Sequence, residues 1–180
     1  MIGALASAGR VLARGELLEE LGRTREAVEV YRALLEREVL RASSEAAEEF
    51  YATYNDERGY LLHTPRWGTL DGADDAIECY ANWTLFHMLG GSDSVLALFR
   101  RALEGHLLQY KELQTVTTEV AKDGAYYKEF MPMSDWHHNG EGMQGFMNQG
   151  FSDPDNLQFQ MRMRRVSGFY LNEDPDAPNY

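Results

Sequence analysis

Residues 73–113 read ADDAIECYANWTLFHMLGGSDSVLALFRRALEGHLLQYKEL, and this stretch decides the fold class. It contains two runs of apolar residues at helical spacing, separated by a Gly-Gly-Ser-Asp break. Gly90 and Gly91 end the first predicted helix, and Asp93 is positioned to cap the second. The preceding residues 59–72, GYLLHTPRWGTLDG, lack helical periodicity and predict an extended segment. The sequence therefore predicts a helical hairpin entered through a long loop.

Residues 125–171 follow the same plan. An extended segment, AYYKEFMPMSDWHHNG (125–140), precedes a predicted helix over 141–149, EGMQGFMNQ. Gly150 is expected to break that helix, and Asp153 to cap the next one with Pro154 at its first position. The equivalent serines are Ser92 and Ser152, so the repeat period is 152 − 92 = 60 residues. This order of features predicts a second copy of the same helical hairpin.

The first 50 residues are rich in Ala, Leu, Glu and Arg, which favour helix. Gly22 predicts the end of the first helix, and Ser43 or Ser44 predicts the start of a third that reaches about Thr53. Residues 13–36, ARGELLEELGRTREAVEVYRALLE, resemble one tetratricopeptide repeat. Such repeats need about three copies to bury a shared core. We therefore expect a helical hairpin and a third helix over 1–53, continuous with two hairpins over 54–180, in one all-α domain.

Composition excludes several classes of protein. The chain of 180 residues has a net charge of −12, which disfavours a general nucleic-acid-binding surface. No apolar run approaches the roughly 20 residues of a membrane span, and the N-terminus becomes charged too early for a signal peptide. The single cysteine, Cys79, cannot form an intrachain disulfide. No phosphate-binding loop, dinucleotide fingerprint or Gly-x-Ser-x-Gly motif is present. We expect a cytoplasmic protein, or a periplasmic or secreted one if a signal peptide has been removed.

The repeated plan of a long aromatic and acidic loop, an inner helix and an outer helix resembles the (α/α) toroid of the six-hairpin glycosidase superfamily. The resemblance covers about residues 54–180. It implies helical hairpins around a central pocket, with the loops at one end forming the substrate site. The sequence supplies about three hairpins, so we expect a partial ring, completed by further chain, by a partner or by a homo-oligomer.

The densest polar cluster is residues 134–142, SDWHHNGEG. Carboxylates and imidazoles can supply general acid and base, which makes Asp135, His137, His138 and Glu141 the candidate catalytic residues. Trp136 is a candidate for stacking on a sugar ring. If Glu141 starts a helix, the helix dipole stabilises its carboxylate. The spacing matches no standard zinc motif, so no metal and no cofactor are expected.

A second cluster, residues 63–75, occupies the equivalent place in the first unit. Here Arg66 could hold a substrate carboxylate and Trp67 could stack on substrate. Asp71 and Asp74 could pair with the acids of the other cluster, although both also suit a helix cap. The resemblance to toroidal polysaccharide lyases adds Tyr127, which could act with a histidine in β-elimination. The candidate substrate-binding residues are His63, Arg66, Trp67, Asp71, Asp74, Tyr127 and Trp136.

Three functions remain open from the sequence. The first is a carbohydrate-active enzyme that cleaves a glycosidic bond by hydrolysis or by uronate elimination. The second is a toroid lyase or isomerase acting on a small terpenoid-like alcohol. The third is a non-catalytic helical-repeat protein whose N-terminal hairpin docks a partner. The expected ligand is a small molecule or an oligosaccharide, without nucleic acid or membrane.

Overall fold

The computed structural model describes residues 2–63, 72–113, 119–120, 127–129 and 135–173, with side chains over 8–63, 75–113 and 140–173. The chain divides into two compact units, Met1–Ala46 and Ala47–Tyr180. Over the described residues it is an all-α protein, as the sequence predicts, with one short two-stranded antiparallel ribbon.

The first unit is a helical hairpin. Helix α1 spans Ile2–Glu20, and helix α2 spans Thr24–Tyr54 and continues into the second unit. The connection is closed by Gly22 at φ +69°, in the left-handed region that favours glycine. The Arg23 N–H donates to the Leu18 carbonyl at 2.8 Å, which satisfies a carbonyl at the end of α1. The predicted helix end at Gly22 is confirmed.

The predicted third helix starting at Ser43 or Ser44 is wrong, because α2 continues through both serines. The Ser44 hydroxyl donates to the Leu40 carbonyl at 2.8 Å, four residues earlier in the same helix. A serine can therefore be satisfied inside a helix as well as at its start.

The second unit contains helices α3 (Gly72–Glu78), α4 (Trp83–Met88) and α5 (Asp93–Leu113). The sequence predicts one helix over 73–89, but a turn over 79–82 divides it. Backbone bonds such as Tyr80 N–H to Ile77 carbonyl, 3.0 Å, span three residues, as in a tighter 3₁₀ turn. The break after α4 is confirmed at Gly90, whose φ is +106°. The side chain of Ser92, rather than Asp93, accepts from the backbone at the start of α5, from Ser94 N–H at 3.3 Å.

Strands β1 (Glu119–Val120) and β2 (Tyr127–Glu129) pair antiparallel and precede helices α6 (Asp135–Ser152) and α7 (Leu157–Tyr170). Helix α6 begins earlier than predicted and passes through Gly150. The predicted cap at Asp153 is also wrong. Asn156 caps α7 by accepting from the Phe159 N–H at 2.9 Å, whereas Asp153 forms an ion pair with Arg100.

Helices α4 and α6 lie side by side and run parallel. The Thr84 hydroxyl donates to the Gly145 carbonyl at 3.1 Å, and the Ser152 hydroxyl donates to the Thr84 carbonyl. An added Cβ at Gly145 would lie 2.9 Å from the Ala81 Cα, so glycine allows the close approach. Contacts therefore advance along both helices together, as expected for equivalent helices of two repeated hairpins.

Helices α5 and α7 also advance together. Arg100 pairs with Asp153, and Arg162 pairs with Glu104 at 2.6 Å. Arg162 is 4% exposed and Glu104 is 40% exposed, so this partly buried ion pair links α7 to α5. The two hairpins are thus neighbours in the same orientation.

Replacing Thr84 with valine is expected to destabilise the second unit by about 1–2 kcal/mol. Thr84 is fully buried, and valine has a similar shape but leaves the Gly145 carbonyl without this donor. Thr84→Ser retains the hydroxyl and is the control. Equilibrium chemical denaturation measures the difference, and a Thr84→Val protein more stable than Thr84→Ser would contradict this role.

Candidate functional site

Helices α3 and α6 carry described residues of the two polar clusters that the sequence predicts, over 63–75 and 134–142. Both α3 and α4 pack against α6. Helix α4 contacts the second half of α6 through Gly145 and Ser152. The tertiary structure therefore brings together two helices that each carry part of a predicted cluster.

Residues 135–140 are helical, which corrects the end of the extended segment expected over 125–140. Asp135, Trp136, His137 and His138 form the beginning of α6, and their side chains lie outside the described residues. Glu141 follows in the second turn and is half-buried. The backbone of α6 places positions 137, 138 and 141 on one side, because residues three and four apart are neighbours on a helix. The favourable field at the helix N-terminus therefore acts at Asp135, not at Glu141 as predicted.

The predicted substrate-binding residues are described only in part. Arg66, Trp67 and Asp71 lie outside the described residues. Asp74 lies on α3 and Tyr127 on β2, and neither side chain is described. His63 is described and half-buried, and its ring packs edge-on against Tyr54 with 5.6 Å between ring centroids.

The segment that carries His63 is held by a buried side chain at the end of α2. Asn55 donates to the Gly59 carbonyl at 3.1 Å and accepts from the Tyr80 hydroxyl at 2.9 Å. Burial raises the pKa of the Tyr80 phenol, which keeps it a neutral donor in this bond. Asn55 thus connects the loop after α2 to the turn between α3 and α4.

The same segment is attached to α5 by Gln109. The Gln109 side-chain carbonyl accepts from the Leu61 N–H at 3.1 Å, and its amide donates to the Leu61 carbonyl at 3.0 Å. The buried side chain of Gln109 thus satisfies both the N–H and the carbonyl of Leu61, as the backbone of a neighbouring β-strand would. This arrangement fixes the backbone two residues before His63.

Sequence reasoning missed the Asn55, Tyr80 and Gln109 framework. Tyr80 and its partner Asn55 are 25 residues apart along the chain, and Gln109 and its partner Leu61 are 48 residues apart. The available signal was local: the run Asn55-Asp56-Glu57-Arg58-Gly59 is rich in turn-forming residues. Asp56 fulfils that signal by accepting from the Arg58 and Tyr60 N–H groups at 2.9 and 3.0 Å.

No metal-binding group emerges from the side chains that the structure describes: no three His, Cys, Asp or Glu are arranged around a common point. Across the same part of the chain, no helix combines the length and apolar character of a membrane span.

His106, on α5, is a buried titratable residue that the sequence did not single out. It is 2% exposed, and its ring packs against Tyr110 with 4.8 Å between centroids. Burial lowers the pKa of His106 from 6.5 to about 3. The unfolded chain therefore binds a proton between these pH values that the folded chain excludes.

The free energy of unfolding is expected to decrease as pH falls from about 6.5 towards 3, with His106 contributing up to about 1.4 kcal/mol per pH unit. His106→Gln should show a shallower slope of the unfolding free energy against pH when chemical denaturation is measured across this range. An unchanged slope in His106→Gln, or an imidazolium signal for His106 by NMR near pH 5, would contradict the prediction.

Over the described residues, the fold is that of an all-α protein of packed helices. The chain matches the family "Domain of unknown function (DUF8034)" over residues 26–180, and it belongs to that family. No curated protein matches the chain, and no solved structure matches it.

Proposed function

We propose that this protein is a carbohydrate-active enzyme of (α/α)-toroid type that cleaves a glycosidic bond. The observation that supports the proposal best is the parallel packing of α4 and α6. The bonded residues Thr84 and Gly145 are 61 residues apart, close to the 60-residue sequence period. Equivalent helices of a repeat that pack in parallel are what inner helices of a toroid require.

The position of the polar clusters supports the same proposal. Toroid enzymes resembling this plan bind substrate at the end where the inner helices begin, and here α3 and α6, which each carry residues of one cluster, pack against each other. In the proposal, Asp135, His137, His138 and Glu141 supply acid and base at the reacting bond. His63, Arg66, Trp67, Asp71, Asp74, Tyr127 and Trp136 bind the substrate.

Hydrolysis and elimination use the same cluster differently. Hydrolysis requires two carboxylates, one protonating the leaving oxygen and the other activating water or attacking the sugar. Elimination requires a base that removes the proton beside a uronate carboxylate and an acid that protonates the leaving oxygen. Asp135 and Glu141 fit the first mechanism, and Tyr127 with His137 or His138 fits the second.

A panel of neutral and uronate-containing oligosaccharides tests the proposal, using the protein at its full encoded length. New reducing ends without ultraviolet absorbance indicate hydrolysis, and an unsaturated uronate that absorbs in the ultraviolet indicates elimination. Absence of both products across the panel, with folded protein, would refute glycosidic cleavage. Conversion of a terpenoid-like alcohol in a parallel assay would instead assign a lyase or isomerase.

A further inference from the structure

The first unit contains a groove of about 440 Å³ that is separate from the candidate site. It is lined by both helices of the α1–α2 hairpin. Its apolar lining includes Leu18, which is 7% exposed, and the half-buried Val11 and Val30. A groove of this volume is large enough to hold a ligand or several side chains of a bound segment.

Three arginines line the groove: Arg14, Arg25 and Arg37. All three are exposed, and within the described residues none has a hydrogen bond or an ion pair to another side chain. Arg14 and Arg37 also have no acidic residue three or four positions away on their own helices. Their guanidinium groups are therefore available to a ligand.

The neighbouring arginines outside the groove differ in this respect. Arg23 pairs with Glu26, Arg32 pairs with Glu36 at 2.9 Å, and Arg41 pairs with Glu38 at 2.8 Å. Each of these arginines thus forms an ion pair with a glutamate three or four residues away on the same helix. By contrast, the sequence places no glutamate three or four positions from Arg14 or Arg37, where a helical partner would lie.

The charge of the groove contrasts with the rest of the chain. Residues 1–46 carry 7 − 8 = −1, and residues 47–180 carry 10 − 21 = −11. The lining holds three arginines and two glutamates, and one of these, Glu26, is already paired with Arg23. The groove is therefore a positive and partly apolar surface on an acidic protein.

We propose that this groove binds an acidic peptide segment of a partner protein. The arginines donate charge-assisted hydrogen bonds to carboxylates of the segment, and the apolar lining holds an aliphatic side chain between them. A nucleic acid fits less well, because the lining also holds Glu29, and a phosphate backbone offers no aliphatic side chain to Leu18, Val11 and Val30. This binding is independent of the proposed enzymatic activity.

The test measures binding of two fluorescent peptides to the full chain. One peptide alternates leucine with glutamate and aspartate, and the other replaces the acids with glutamine and asparagine. The acidic peptide should bind, and its affinity should fall with increasing ionic strength, as expected for ion pairs. The neutral peptide should bind at least about tenfold more weakly, since it cannot form charge-assisted bonds.

Variants locate the binding site. Arg14→Gln and Arg37→Gln should each lower the affinity for the acidic peptide about threefold to tenfold, as the loss of a charge-assisted contact implies. The matched controls Arg32→Gln and Arg41→Gln remove arginines that already have glutamate partners, and they should change the affinity less than about twofold. Glutamine keeps helix propensity close to that of arginine, so all four variants should fold.

Several results would overturn the proposal. The first is absence of binding by the acidic peptide, and the second is equal binding of both peptides. Equal effects of the control and groove variants would also place binding elsewhere. Tighter binding of a short oligonucleotide would show a general polyanion surface. Self-association of the chain that Arg37→Gln abolishes would make a second copy, rather than a partner protein, the occupant.

Discussion

Alanine at position 105 is expected to destabilise the second unit by about 2–3 kcal/mol. Gly105 lies inside α5, where alanine would normally be favoured over glycine by about 1 kcal/mol. An added Cβ, however, would collide with the Gly59 carbonyl group and lie 2.7 Å from the Arg58 carbonyl oxygen. The steric collision therefore makes Gly105→Ala destabilising, whereas helix propensity alone predicts that it is stabilising.

The backbone around Gly59 cannot move away from α5 without a cost in free energy. Gly59 has φ +84°, and its carbonyl accepts from the Asn55 side chain at 3.1 Å. Two residues later, Leu61 is held by both polar groups of Gln109. Relief of the collision would break these buried hydrogen bonds, whose loss costs free energy of its own.

Gly140→Ala is the matched control, because Gly140 also lies in a helix but has no atom within 4 Å of an added Cβ. That change should stabilise the protein by about 0.5–1 kcal/mol. Chemical denaturation of the wild type and both variants measures the two effects. A Gly105→Ala protein as stable as the wild type would show that the loop over 56–60 is not held against α5 as described.

Asp135→Asn and Glu141→Gln are each expected to lower the turnover of the oligosaccharide found by the substrate panel about 100-fold or more. General acid–base catalysis contributes about 10²–10⁴-fold, and neither amide can take part in it at neutral pH. Both changes preserve side-chain size, so the melting temperature should change little. Steady-state kinetics on the identified substrate measures the loss.

Asp155→Asn is the control for these two variants. Asp155 is exposed in the turn between α6 and α7, at the opposite end of α6 from Asp135. Its substitution should leave turnover within about twofold of the wild type, because surface changes away from a site have small effects. Full activity in both Asp135→Asn and Glu141→Gln would exclude the proposed acid–base cluster and favour the non-catalytic interaction protein.

The sequence by itself determined the helical class and the breaks at Gly22 and Gly90. These features depend on local chemistry. Gly22 and Gly90 adopt positive φ values that other residues rarely tolerate, and apolar spacing of three and four residues defines a helix face. The 60-residue period between Ser92 and Ser152 stays a prediction from the order of Gly, Ser and Asp.

Several helix boundaries depend on which partner a polar side chain binds, and the sequence does not reveal that partner. Ser44 bonds within α2 to Leu40 and caps no new helix, and Asn156 caps α7 while Asp153 pairs with Arg100. A serine, asparagine or aspartate is compatible with a helix interior, a cap or an ion pair. The choice among these states depends on partners that only packing supplies.

For the candidate site too, some features were evident in the sequence and others only in the tertiary structure. Its residue types and their clustering over 63–75 and 134–142 were evident in the sequence, but the helical state of Asp135 to His138 was not. Only the tertiary structure packed α3 against α6 and held the backbone before His63 through Gln109. The physical reason is that hydrogen bonds and close contacts between residues 25 to 61 positions apart depend on packing, which local propensity does not encode.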